Sequence, residues 1–207
     1  LSARKGIVMK TIVLATGNKD KACEIKAMLD HKFEVKTMKD MGIDIQIIED
    51  GETFEDNALI KVRAIQPFVK DAEMIIMGDD SGLSVDALDG APGIYSARYA
   101  GEDVTYRDNN EKLLKAMKDV PEEKRGAEFV SVIAMILPDG QELTVRGTVR
   151  GRIADDFMGD EGFGYDPLFI VEETGKSYAQ MAPEEKNAVS HRARAVARAK
   201  QILEKYQ

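Results

Sequence analysis

Residues 11–29 read TIVLATGNKDKACEIKAML, and this stretch decides the fold. Thr11–Ala15 is a short run rich in β-branched residues that ends at a glycine-containing turn, which predicts a buried strand. Lys19–Leu29 then carries apolar residues at helical spacing. A strand, a loop and a helix in that order are the usual opening of an α/β domain. We therefore expect an α/β fold with a polar loop after its first strand.

The rest of the chain alternates between apolar runs and amphipathic segments. The predicted strands are 33–38, 43–48, 74–77, 128–137, 142–149 and 167–171. The predicted helices are 54–69 capped by Thr53, one from Asp103 or Thr105 to Lys118, and 190–206 capped by Ser190. Pro138-Asp139-Gly140 predicts a hairpin turn within a second lobe. The pattern indicates an elongated mixed β-sheet flanked by helices, with polar loops at strand ends where ligands bind.

The composition is that of an ordinary globular protein. A length of 207 residues suits one domain, or two lobes that share one sheet. The formal net charge of −8 argues against duplex nucleic acid as a partner. No apolar run approaches the roughly 20 residues needed to cross a bilayer, so no membrane partner is expected. We expect Met9 to be the natural start, with residues 1–8 an upstream extension and 9–207 the domain.

The chain has one cysteine, Cys23, so it forms no internal disulfide, and we expect a cytoplasmic protein. Cys23 lies in the first predicted helix, where a buried or half-buried structural thiol is expected. Two histidines and one cysteine do not suffice for a conventional structural zinc site. A catalytic metal would therefore need oxygen ligands, which favours magnesium, manganese or calcium.

The loop from Thr16 to Lys21 has the character of a phosphate-binding loop. Its glycine, Gly17, lets backbone N–H groups approach an anion, and the following helix start adds a partial positive charge. Lys19 and Lys21 add full charges. The chain has no GxxxxGK[ST] sequence, so this is not a Walker loop. The alternative is a plain strand–helix turn with solvated lysines.

Acidic residues occur in two segments that could hold a cation. Asp79 and Asp80 follow the apolar run 74–77 in a segment, 78–82, that reads as a polar loop. Successive side chains on extended backbone point in opposite directions, so at most one of the two is expected to face a metal. Glu49 precedes the helix capped by Thr53 and is freer to reach a cation than the acids of the first helical turn. The alternative for 78–82 is a tight turn built from Asp, Ser and Gly.

Two segments near the carboxyl end could recognise a planar base. In Gly162–Pro167, glycines flank Phe163, so a base could stack on its ring, and Asp166 could accept hydrogen bonds from the base. His191 and Arg192 occupy a helix start, where cations are disfavoured unless an anion or a carbonyl lies nearby. The alternatives are a glycine-rich turn with a core aromatic and a solvated basic helix.

Taken together and in this order, these segments resemble the inosine triphosphate pyrophosphatase family, the non-canonical purine NTP pyrophosphatases. The matching pieces span nearly the whole chain from Met9. They are Thr16-Gly17-Asn18-Lys19, Thr53 to Ala58, Asp79 to Leu83, Gly90 to Arg98, Phe163 to Pro167, and Ser190-His191-Arg192. Glu49-Asp50-Gly51 varies on a family pattern that more often reads Glu-Thr-Gly. No single piece is specific, but the combination is.

The resemblance implies a role for each of these segments. It implies two lobes around a central cleft, a homodimer, and hydrolysis of ITP, dITP and XTP to monophosphate and pyrophosphate. It implies magnesium, with manganese as a possible substitute, held by Glu49 and Asp80, and Asp80 as general base. The implied substrate-binding residues are Thr16, Gly17, Asn18, Lys19, Asp20, Lys21, Lys61, Ser81, Phe163, Gly164, Tyr165, Asp166, Lys186, His191 and Arg192.

Two other functions fit parts of the sequence. The first is a phosphatase of the haloacid dehalogenase type, suggested by Asp79 and Asp80 after a strand, although the usual Asp-x-Asp spacing is missing. The second is a non-catalytic protein that binds a nucleotide with magnesium. Retention of both candidate metal carboxylates, Glu49 and Asp80, argues against the second.

Overall fold

A computed structural model describes residues 9–29 and 32–206, so the prediction about residues 1–8 lies outside the described part. The strands are β1 Thr11–Leu14, β2 Glu34–Thr37, β3 Ile75–Val85, β4 Gly126–Ile136, β5 Glu142–Ile153 and β6 Phe169–Val171. The α-helices are α1 Lys19–Leu29, α2 Phe54–Ile65, α3 Tyr106–Ala116, α4 Pro183–Val189 and α5 His191–Leu203.

The strands form one mixed sheet in the order β2-β1-β3-β4-β5-β6. β1 pairs in parallel with β2 and β3, whereas β3, β4, β5 and β6 pair antiparallel in succession. The prediction of a mixed α/β sheet flanked by helices is confirmed. The assignment of 9–207 as one domain with two lobes stays a prediction.

Helices cover both faces of the sheet near β1. On one face, Ile25 of α1 and Val196 of α5 pack against Ile12 and Leu14 of β1. On the other, α2 packs against Val13 and the alternate residues of β4. A third cluster, built around Phe129 of β4 with residues of α3, β5 and β6, fills the far end of the long strands. Alternation along each strand thus supplies two apolar faces.

Helix starts follow the sequence signals closely. The hydroxyls of Thr53 and Thr105 accept hydrogen bonds from the backbone N–H groups of Asp56 and Asp108, which complete reciprocal capping boxes. The Ser190 hydroxyl accepts from the backbone N–H of Ala193. These caps fix the chain direction at α2, α3 and α5.

The segment 78–82 is not a loop, and that prediction is wrong. β3 runs without interruption from Ile75 to Val85, and Asp79 and Asp80 pair with Ile133 and Val132 of β4. The ladder with β4 satisfies the backbone groups of this polar segment that point toward β4, while Asp79 and Asp80 find charged partners on the two faces. Long-range pairing therefore overrides a local composition that is typical of a turn.

Three smaller predictions also differ from the structure. Residues 43–48 form no regular strand. α2 ends at Ile65 and continues only as a 3₁₀ turn, Gln66–Phe68, because Pro67 lacks the N–H group for a further helical bond. Cys23 is exposed, because the inward face of α1 is formed by Ala22, Ile25 and Leu29.

Candidate active site

The β1–α1 loop ends in a tightly hydrogen-bonded helix start. The Asn18 side-chain oxygen accepts from the backbone N–H groups of Asp20 and Lys21, at 3.0 and 3.1 Å. The Thr16 hydroxyl accepts from the N–H of Asn18 at 3.1 Å. An added Cβ on Gly17 would meet nothing within 4 Å, so the backbone is open to a ligand there. The loop is therefore held in one shape with free space above it.

The two lysines of this loop have different surroundings. The Lys21 ammonium lies 3.0 Å from a carboxylate oxygen of Asp79 and is largely buried. Burial lowers the pKa of Lys21, although the charge of Asp79 opposes that effect. Lys19 is exposed and lies beside a separate hollow with Thr37 and Lys39. The structure therefore brings Lys21, but not Lys19, next to the carboxylates of β3.

Asp80 and Glu49 meet at Lys61, on the α2 side of the sheet. The Lys61 ammonium lies 2.9 Å from Oδ1 of Asp80 and 3.1 Å from Oε2 of Glu49. It also donates to the backbone carbonyl of Asp79 at 3.0 Å. Two oxygens this close to one nitrogen are at most about twice that distance apart. The nearest oxygens of Glu49 and Asp80 are therefore at most about 6 Å apart, with the Lys61 ammonium in contact with both.

The second carboxylate oxygen of Asp80 has no hydrogen-bond partner although it is buried. Burial raises the pKa of Asp80, and the attraction of Lys61 and Lys21 does not fully offset it. Burial lowers the pKa of Lys61, but Asp80 and Glu49 outweigh that effect, so its pKa is raised and it stays charged. A buried acceptor without a partner, beside a second carboxylate, suits a hard cation.

The described residues contain no group of three or more His, Cys, Asp and Glu side chains placed to bind a metal. Two carboxylates completed by water and substrate phosphate oxygens are a common arrangement for Mg²⁺. Glu49 and Asp80 fit that arrangement, and they do not fit a closed structural metal site.

Asp79 faces the opposite side of β3, as the alternation rule predicts. Its carboxylate accepts from the Ser131 hydroxyl at 2.6 Å and lies 3.0 and 3.5 Å from Lys21 and Arg192. Although burial acts to raise it, the pKa of Asp79 is held well below its usual value by Arg192, Lys21 and the Ser131 hydroxyl. Asp79 therefore serves as a fixed negative charge that holds two cations in place.

A first cavity lies on this side of β3. One wall is the ring of His191, which stacks on Phe129 with ring centres 4.5 Å apart and planes 9° apart. Another wall is Phe163, whose ring lies 4.5 Å from the Lys186 ammonium. The cavity thus offers flat surfaces edged by polar groups.

Charged pairs hold the polar edge of the first cavity. Asp166 accepts from Lys186 at 2.6 Å and from the backbone N–H of Phe163 at 2.9 Å. Arg192 donates to Ser81 at 2.8 Å and pairs with Glu24 and Asp79. These two carboxylates offset the unfavourable position of a cation at the start of α5.

A second cavity adjoins the first. It contains Glu49, Lys61 and Asp80. The residues that line both cavities are Asn18, Lys21, Ser81 and Ala97. The two cavities therefore form one continuous site, with flat apolar walls at one end and paired carboxylates at the other.

The chain matches the Ham1 family over residues 12–202. It belongs to the Ham1 family. A dITP/XTP pyrophosphatase of Clostridium perfringens is 45% identical over 199 residues, covering 94% of this chain and 98% of that protein. A dITP/XTP pyrophosphatase of Bacillus subtilis is 42% identical over 199 residues, covering 96% and 99%.

Solved structures of Ham1 proteins share the fold. The Ham1 protein of Staphylococcus aureus superposes with a TM-score of 0.83 at 40% identity, covering 96% of this chain and all of that one. A dITP/XTP pyrophosphatase of Mycobacterium abscessus gives a TM-score of 0.72 at 40% identity, covering 91% and 98%. In the described residues of this Ham1 chain, no helix has both the length and the apolar character needed to cross a bilayer.

Some predicted site residues of the Ham1 chain have structural partners. The Tyr165 hydroxyl donates to the backbone carbonyl of Ser96 at 2.7 Å, and its ring packs in the core. The Gly164 carbonyl accepts from Asn110 at 2.8 Å. Asp20 accepts from the Tyr106 hydroxyl at 2.9 Å. Tyr165 and Gly164 line the first cavity, whereas Asp20 lines neither cavity, and the side chains or carbonyls of all three are already engaged.

The sequence predictions missed Glu24, which holds the polar edge of the first cavity from α1. Its carboxylate lies 2.6 Å from Lys186 and also pairs with Arg192. Its spacing from a predicted site residue was the available indication, because Glu24 lies three residues after Lys21 and therefore on the same face of the helix. Its partners are more than a hundred residues away, so the pairing itself could not be read from the sequence.

The buried imidazole of His191 predicts that acid destabilises the protein. Burial, helped by Arg192 and Lys186, lowers the pKa of His191 well below its usual value. The unfolded chain therefore binds a proton near pH 6.5 that the folded chain does not. The contribution of the neutral His191 ring to the free energy of unfolding is fully present above about pH 6.5. As the pH falls below that value, this contribution decreases by up to about 1.4 kcal/mol per pH unit.

Urea unfolding at neutral and mildly acidic pH measures this effect. His191→Gln should lose less stability on acidification than the wild-type protein does. An equal loss in both proteins would show that His191 does not titrate as proposed.

Proposed function

We propose that this protein hydrolyses non-canonical purine nucleoside triphosphates, ITP, dITP and XTP, to the monophosphate and pyrophosphate. The observation that carries the proposal is the continuous double cavity, with a flat slot at one end and Glu49, Asp80 and Lys61 at the other. The names of the relatives, dITP/XTP pyrophosphatase, support the same substrates. Removal of such nucleotides would clear the nucleotide pool of abnormal purines.

In the proposed arrangement the purine stacks on Phe163 and its C6 edge faces His191. The β1–α1 loop and Lys21, at the boundary of the two cavities, hold the α-phosphate. The remaining phosphates extend into the second cavity. In this arrangement the α-phosphorus would lie beside Asp80.

The reaction is attack by water on the α-phosphorus, with the bond from that phosphorus to the bridging oxygen breaking. Asp80 would accept the proton of the attacking water, but as a metal ligand it would be a weak base, because a bound cation lowers the pKa of a carboxyl group. Glu49 and Asp80 would hold magnesium, with manganese as a substitute, which when bound neutralises phosphate charge and acidifies water. Lys61 stays charged beside the reacting group. Fixed charges in a buried site supply most of the expected catalysis.

We also propose a cytoplasmic homodimer. The absence of any cysteine pair and the resemblance described above support this assignment. Sedimentation of the purified protein at several concentrations tests the dimer, and a monomer throughout would refute it.

A panel of nucleoside triphosphates incubated with magnesium tests the function. Phosphorus NMR should show pyrophosphate and monophosphate from ITP and XTP, with little product from ATP. Orthophosphate as the first product would indicate the phosphatase alternative. Binding without any product over hours would indicate the non-catalytic alternative.

His191 predicts how selectivity is achieved. Inosine and xanthosine carry a carbonyl at C6 where adenine carries an amino group, and a donor that faces this position is left unpaired by adenine. His191→Ala should reduce the ratio of kcat/KM for ITP over ATP by about tenfold or more. Arg192→Ala is expected to act in the same direction, although its structural role confounds that variant. An unchanged ratio in His191→Ala would remove His191 from base recognition.

A further inference from the structure

Three cations line the second cavity: Lys21, Lys61 and Arg98. Lys21 pairs with Asp79, and Lys61 pairs with Asp80 and Glu49. Among the described residues, Arg98 has no carboxylate within 4.0 Å. Its guanidinium donates to the backbone carbonyl of Glu49 at 3.4 Å and lies 5.1 Å from the centre of the Tyr95 ring. Arg98 therefore enters the cavity with most of its donors available.

Arg98 lies past the boundary between the two cavities, on the side of the second cavity. Lys21 lines both cavities, whereas Arg98 lines the second cavity and not the first. In the proposed binding mode the α-phosphate lies at the shared boundary. Arg98 is then placed to meet the phosphates beyond it.

The backbone that carries Arg98 is held firmly against β3. Arg98 ends the 3₁₀ segment Gly93–Arg98, and Ser96 of that segment accepts from the backbone N–H of Leu83 at 2.9 Å. A Cβ added to Gly82 would lie only 2.4 Å from the Gly93 carbonyl, so the two backbones are in close contact. The guanidinium therefore extends from a fixed base into the cavity.

We infer that Arg98 binds the β- and γ-phosphates and stabilises the pyrophosphate that leaves. This inference rests on the proposed function. When the bond to the α-phosphorus breaks, its electron pair stays on the bridging oxygen of pyrophosphate, and negative charge grows there. A guanidinium can donate two parallel hydrogen bonds to phosphate oxygens, which an ammonium cannot do in the same geometry. Arg98 is thus suited to the end of the substrate that departs.

Binding of inorganic pyrophosphate tests the inference without turnover. Calorimetry with saturating magnesium would compare the wild-type protein, Arg98→Met and Arg98→Lys. We expect Arg98→Met to weaken pyrophosphate binding by about 10- to 100-fold and Arg98→Lys to weaken it less. Binding of IMP should change by less than about twofold, because the monophosphate does not reach Arg98. Arg152→Met, which removes a charge from an exposed pair with Glu122, is the matched control.

The alternative is that Arg98 only positions Glu49, whose backbone carbonyl it contacts, and does not bind phosphate. In that case Arg98→Met would bind pyrophosphate normally at saturating magnesium and would need more magnesium for activity, which would overturn the inference. Equal weakening of IMP and pyrophosphate would also overturn it. If the wild-type protein binds both products but releases no pyrophosphate from any triphosphate, the proposed function fails. In that case the comparison of IMP and pyrophosphate binding still decides whether Arg98 holds pyrophosphate.

Discussion

Asp80→Asn is expected to lower turnover of ITP by about 1,000-fold while nucleotide binding largely persists. The substitution keeps the shape of the side chain but removes its charge and its ability to accept a proton. The Asp80 oxygen that has no partner in the structure is also the one available to a cation. Steady-state kinetics with magnesium and ITP measures the loss, and calorimetry with IMP measures the retained binding.

The fold of this variant should survive. Lys61 keeps Glu49 and the backbone carbonyl of Asp79 as partners when the charge of Asp80 is removed. Glu52→Gln, an exposed acid in the segment after Glu49, is the control and should keep full activity. Substantial turnover by Asp80→Asn would remove Asp80 from the chemistry.

Arg192→Met is expected to lower the free energy of unfolding by about 3–5 kcal/mol. The guanidinium is buried and pairs with Glu24 and Asp79. Its removal takes one of two cations from Asp79, which keeps Lys21, and one of two from Glu24, which keeps Lys186, so both carboxylates are left with less compensation for their charge. Urea unfolding followed by circular dichroism measures the difference.

Arg194→Met is the matched control, two residues along the same helix. Arg194 is partly exposed and pairs with the exposed Glu173, so its loss should cost less than about 1 kcal/mol. Combining Arg192→Met with Asp79→Asn should cost less than the sum of the two single changes, since the interaction between Arg192 and Asp79 is lost in either single variant and is counted twice in the sum. Equal small losses for Arg192→Met and Arg194→Met would contradict the proposed role of the charge network.

The sequence was sufficient to predict those elements whose structure depends on a short stretch of the chain. The strand–loop–helix at 11–29, the hairpin around Pro138-Asp139-Gly140 and the caps at Thr53 and Ser190 all appear where they were predicted. In each case a short stretch carries its own periodicity or capping group. These signals do not depend on distant parts of the chain.

The predictions failed where distant segments decide the outcome. Residues 78–82 have the composition of a turn, but each of them pairs in register with a residue of β4, which draws the segment into the sheet. The opposite orientations of Asp79 and Asp80 were still predicted correctly, because alternation holds for any extended backbone. Glu24 was missed since its pairing with Lys186 and Arg192 forms only when α1 and α5 come together.

The position of water attack tests the central claim most directly. The protein would hydrolyse ITP with magnesium in ¹⁸O-enriched water, and mass spectrometry would locate the label in the products. If Asp80 directs water to the α-phosphorus, the label appears in IMP and is absent from pyrophosphate. Label in pyrophosphate, or release of labelled orthophosphate, would show that water attacks elsewhere and would contradict the account.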